Sequence, residues 1–143
     1  MDYLIGFLLA VAVCGAAAFI GFDRERGFYP IMLIVISTYY ILFAVTGGDS
    51  KTLLVESMIA IAFAGAAIAG FRSSLWIVVA ALAGHGVFDF VHHQFFRNDG
   101  VPVWWPGFCL GFDIVAALFF GVLLLKRSEF GIGKGAGKQR PLP

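Results

Sequence analysis

The segment Gly84-His85-Gly86-Val87-Phe88-Asp89-Phe90-Val91-His92-His93 holds all three histidines of the chain and an aspartate, inside a run otherwise apolar enough to cross a membrane. Ionisable groups in such a run are costly to keep, so they mark a site or a partner. A helix turns about 100° per residue, which places His85, Asp89 and His92 within about 60° of one another on one face, with His93 at its edge. Imidazole and carboxylate at this spacing suit a divalent, zinc-like metal, and His85, Asp89 and His92 are its candidate ligands. Without a metal, the same groups form a proton-sharing acid–base network. A third reading is structural, each acid satisfying a histidine or a backbone group.

The fragment His85-x-x-x-Asp89 is similar to the intramembrane metal half-site of the cation diffusion facilitators, and the resemblance implies a divalent ion at these positions. The second paired-acid motif, on the partner helix of that family, is absent here. A haem with two histidine ligands is not expected within one chain. Its axial ligands come from opposite faces of the porphyrin, and here all three histidines share one helix.

The elements that must position these groups follow from composition. Of 143 residues, 60% are hydrophobic and 13% charged, with a mean hydropathy of +0.90, well above the range of soluble domains. Apolar runs at 3–22, 28–46, 52–71, 75–96 and 107–125 are each long enough to span about 30 Å of hydrocarbon. The fold class is therefore all-α: a polytopic five-transmembrane-helix bundle over residues 1–127, followed by a disordered, basic, Gly-rich cytoplasmic tail over 128–143. Connections at 23–27, 47–51, 72–74 and 97–106 are short, which favours antiparallel neighbours.

With the N-terminus outside, the inner side collects Arg24, Arg26, Arg72, Lys126, Arg127, Lys134, Lys138 and Arg140, against Lys51 and Arg97 outside. The positive-inside rule selects N-out, C-in, in a plasma (inner) membrane. The first run lacks a basic leading region and reads as a retained helix rather than a signal. Cys14 and Cys109 fall at different depths, so two reduced thiols are expected. A net charge of +1 gives no ground for a nucleic-acid partner.

In that orientation Glu56, Asp89, His92 and Asp113 lie about 6–10 Å below the outer end of their helices, His85 about 16 Å, and Thr38, Tyr39 and Tyr40 about 10–12 Å. Acids from three helices at one level point to a single outward-facing pocket, with Asp89, Asp113 and Glu56 as candidate catalytic or proton-sharing groups. Tyr39, Tyr40, His93, Trp104 and Trp105 are candidates for its lining or lid. The loop 97–106, with an Asp-Gly turn and prolines, reads as a stiff cover. The inner half is apolar, which fits a pocket better than a pore. The GxxxG at Gly107 and Gly111 predicts close helix contact, within the bundle or in a homo-oligomer.

The size and five-span layout resemble the translocator-protein family, and the His/acid pocket resembles sterol-isomerase-like membrane proteins. The motifs of neither fall on these residues, and no family is assigned. The expected function is a membrane-embedded enzyme or binding protein for a small lipidic molecule, using a metal. The alternatives are a proton or metal-ion transporter and a noncatalytic membrane subunit of a larger complex.

Overall fold

The structure is a computed structural model. It describes the backbone at 1–47, 50–96 and 98–135, and side chains as far as Ser128. The five helices are α1 (Asp2–Ile20), α2 (Phe28–Gly47), α3 (Ser50–Arg72), α4 (Leu75–His92) and α5 (Trp105–Gly135). All five are long and apolar enough to cross a membrane, and the described residues include no strand.

Helix ends are set by local chemistry. Gly21 takes the left-handed conformation (φ 94°) that a side chain resists, and its N–H caps the Ala17 carbonyl at 2.8 Å. A short 3-10 turn, Phe22–Arg24, then leads to α2, which carries Pro30 in its first turn, where no N–H is needed. Arg26 reaches the far end of α3. Its Nε donates to the Phe71 carbonyl at 2.9 Å, satisfying an orphan acceptor and placing positive charge at a helix C-terminus.

Helix α5 packs along both α1 and α4, and α3 packs along α2 and, less extensively, α4. Among the described residues neither α1 with α2 nor α2 with α5 makes an extended contact, although α1 and α2 are consecutive and joined by a short turn. The cause is the small-residue face of α1, where Gly6, Ala10, Cys14 and Ala17 are buried. A side chain on Gly6 would overlap the Phe108 carbonyl, and one on Gly111 would place its Cβ 2.5 Å from the Tyr3 carbonyl oxygen. Backbones approach this closely only where side chains are absent, so α1 is drawn to α5 rather than to α2. The GxxxG is thereby used inside one chain: Gly107 faces Tyr3, and Gly111 the backbone of α1.

The core is built from Leu33 of α2, Ala67 of α3, Val78 and Leu82 of α4, and Ala116 and Phe120 of α5, with Tyr29 stacked on Phe120 at 4.1 Å. Cys14 and Cys109 are buried and free, as their depths predict. Two boundaries differ from those expected. Helix α4 stops at His92 rather than at residue 96, where the amides of Gln94 and Phe95 bond back three residues to Val91 and His92 and turn the chain over the bundle. Helix α5 continues through Gly135, past the start of the expected tail at 128, because each residue added to a formed helix gains a backbone bond without a new nucleation cost. The rest of that tail, 136–143, and Arg97 of the loop lie outside the described residues.

Candidate functional site

Six polar or charged side chains from four helices meet at the end of the bundle that carries the N-terminus and the α4–α5 loop: Tyr40, Glu56, His85, Asp89, His92 and Asp113. None is more than 6% exposed. What draws α5 to this level of α4 is Gly86, whose absent side chain would otherwise stand 2.9 Å from the Asp113 Cβ. Asp113 consequently comes to His85, with Oδ2 2.7 Å from Nδ1, a distance usual for a charge-assisted hydrogen bond.

Asp89 lies one turn beyond His85 on α4, its Oδ2 4.0 Å from the same Nδ1. Its Oδ1 accepts the Tyr40 hydroxyl from α2. A turn further, Glu56 of α3 accepts Asn98 Nδ2 at 3.1 Å and places Oε2 3.4 Å from His92 Nε2. Aromatic rings fill the remaining space: Phe63 lies edge-on to His85 at 4.8 Å, and Phe88 packs on His92 at 5.1 Å.

This geometry separates the metal ligands expected from sequence. His85, Asp89 and His92 do share one helical face, but i and i+7 differ by about 10.5 Å in height, so each imidazole turns to the acid at its own level. His85 pairs with Asp113 and His92 with Glu56. Among the described residues no group of three or more His, Cys, Asp or Glu is arranged to hold a metal ion, and the metal reading is not supported. What the arrangement offers chemically is proton sharing between imidazole and carboxyl. Among the described residues His85 Nε2 is a buried atom without a hydrogen-bond partner, which leaves capacity for a bound molecule, while Glu56 Oε2 and His92 Nε2 face each other at 3.4 Å without making a well-aligned hydrogen bond.

Two cavities border the network, in place of the single pocket expected. A small chamber of about 30 Å³ lies beneath the loop, lined by Tyr40, Asp89, His92, Asn98, Val101 and Trp105. A much larger cleft of about 490 Å³ occupies the gap left between α1 and α2, with α5 as its floor. Leu9, Val13, Met32, Ile36 and Phe112 make its wall apolar, and Asp113 supplies its one carboxyl group. The same aspartate therefore borders the cleft, with its side chain only 1% exposed, and bonds to His85.

The loop is fastened from three directions. Asn98 ties it to Glu56, and Asn98 Oδ1 accepts the Gly100 amide at 3.0 Å, an Asx turn. Gly100 sits on the end of α2, where a Cβ would come 2.8 Å from the Gly47 nitrogen. Trp105, packed on Tyr39 at 5.0 Å and Phe43 at 4.8 Å, borders both cavities.

Of the expected lining residues, Tyr39 faces the cleft, Tyr40 faces the chamber and His93 stands exposed at the chamber rim. Trp104 is 48% exposed and borders neither cavity, and Thr38 bonds within its own helix to the Val35 carbonyl. Sequence reasoning missed Asn98 and Cys109. Neither gives a signal on its own, since an asparagine in a loop and a cysteine in an apolar helix are both commonplace.

No family model matches the chain, and no curated protein or solved structure matches it either.

Proposed function

We propose that the protein is an integral membrane protein of the plasma membrane, N-out and C-in, that binds or acts on a small lipidic molecule reaching it sideways through the cleft between α1 and α2. The observation that carries this reading is Asp113: a buried carboxyl on the wall of an otherwise apolar cleft, bonded at its back to His85. Apolar walls with one convergent polar group are the usual composition of a small-molecule site. A carboxyl group accepts hydrogen bonds and attracts cations, so the ligand is an apolar body with a hydroxyl or amine head.

Placement in a bilayer is supported by helix length and by large apolar side chains turned outward, among them Phe19, Ile31, Leu54, Met58, Ile61 and Leu118, each at least half exposed. Orientation rests on the Lys and Arg distribution. The network replaces the metal: His85 and Asp113 exchange a proton with the ligand head, and the Glu56–His92 pair and Asp89 hold them in place. Transport of an ion is the weaker reading, because the buried acids and histidines gather at one end and the core beyond His85 is Leu, Val, Ala and Phe with only Cys14 and Tyr29 among them.

The test is photolabelling in native membranes with a long-chain alcohol and a long-chain amine, each bearing a diazirine. The reading expects crosslinks concentrated on Met32, Ile36 and Phe112 and competed by the unlabelled compound. Labels spread evenly over outward residues such as Ile61 and Leu118 would contradict it.

A further inference from the structure

We propose that the chamber beneath the loop holds water and that Asp89 and His85 carry protons between this water and Asp113, so that chemistry in the apolar cleft is supplied with protons from the loop side. The purpose of this relay rests on the cleft reading above; its existence does not.

The chamber has the size and partners that a bound water needs. Its volume of about 30 Å³ exceeds the roughly 10–15 Å³ required for one water, and Asp89, His92, Asn98 and Tyr40 offer polar atoms around it. His92 is 5% exposed and lines the chamber, and its buried Nε2, 3.4 Å from Glu56 Oε2, makes no well-aligned hydrogen bond among the described residues. A buried nitrogen with hydrogen-bonding capacity to spare, beside a void of this size that four polar side chains border, is the expected setting of an internal water.

From the chamber the path is short. Asp89 borders the void and lies 4.0 Å from His85 Nδ1, which lies 2.7 Å from Asp113, which borders the cleft. A proton accepted by Asp113 passes to Nδ1, giving an imidazolium between two carboxyl groups. A small ring rotation then hands it to Asp89, and Asp89 releases it to the chamber water. One proton enters, one leaves, and no electrons move; the reverse direction uses the same steps. The other groups around the path are Tyr40 on α2, Glu56 on α3, His92 on α4 and Cys109 on α5. Tyr40 donates to Asp89 and holds its carboxyl in place. The cleft offers no competing route, since its wall among the described residues is apolar apart from Asp113, Tyr39, Cys109 and Trp105.

The experiment measures exchange of the His85 ring proton with deuterated water by nuclear magnetic resonance, on full-length protein with labelled histidine in lipid nanodiscs. Val101→Phe fills the chamber, Asp89→Asn removes the carboxyl step, and Ile36→Trp fills the cleft. Losing a hydrogen-bonded step should slow exchange about tenfold in each of the first two variants. Filling the cleft should leave it within about twofold. Exchange slowed by Ile36→Trp but not by Val101→Phe would overturn the proposal, as would exchange indifferent to Asp89→Asn. Should Val101→Phe fail to fold, the Asp89→Asn and Ile36→Trp arms still decide. No lipidic probe is present, so this failure is distinct from a failure of the cleft reading.

Discussion

The contact between His85 and Asp113 sets a measurable coupling. Both side chains are at most 2% exposed and their atoms stand 2.7 Å apart, so neither has water to fall back on. Polar contacts between helices in membranes contribute about 0.6 kcal/mol on average, since the unfolded chain finds other partners there. A hydrogen bond to a charged group contributes about 1.5–3 kcal/mol. The double-mutant cycle of His85→Ala and Asp113→Ala, in which the cavity cost of each truncation cancels, is therefore expected to give about 1.5–3 kcal/mol, or roughly 10- to 150-fold in the unfolding constant. Asp89 modifies this value in a calculable way. Coulomb attraction falls as 1/r, so Asp89 at 4.0 Å keeps about two-thirds of the attraction that Asp113 exerts at 2.7 Å and cushions its loss. Repeating the cycle with Asp89→Asn should raise the coupling. The assay is equilibrium unfolding by dodecyl sulfate, followed by the fluorescence of Trp105, which packs beside the site. A coupling at or below about 0.6 kcal/mol, unchanged by Asp89→Asn, would refute an ionic pair and leave an ordinary interhelical contact.

Glycines supply a paired test of the α1–α5 contact. Gly111→Ala forces a methyl group against the Tyr3 carbonyl and should cost about 1–3 kcal/mol, whereas Gly65→Ala, with open space around it, should be neutral or gain about 0.5–1 kcal/mol in the same unfolding assay. For topology, an impermeant thiol reagent added outside intact cells should modify Asp99→Cys and spare Arg72→Cys, with the buried native cysteines silent; the reverse pattern would place the network on the inner side.

Helix positions were legible because about 20 apolar residues in a row admit few alternatives. The shared face of His85, Asp89 and His92 was legible for the same reason, as azimuth follows from spacing alone. Their separation into pairs was not, because it depends on where α3 and α5 sit in height, and that is decided by small-residue contacts such as Gly86 against Cys109 and Asp113. Short turns implied that α1 and α2 pack together, yet the fit of Gly6 and Gly111 draws α1 to α5 and opens the cleft. The single polar pocket became two cavities, with the ring of Trp105 bordering both. Periodicity marks such rings as apolar without saying which gap each fills.

The central claim is that the cleft holds a lipidic molecule anchored at Asp113. Mass spectrometry of the protein after gentle extraction tests it without knowing the ligand in advance. The wild type should retain one lipid-sized molecule per chain, lost in Ile36→Trp, which fills the cleft, and depleted in Asp113→Leu, which removes the anchor. A wild type free of such a molecule, or one retained undiminished in both variants, would contradict the account.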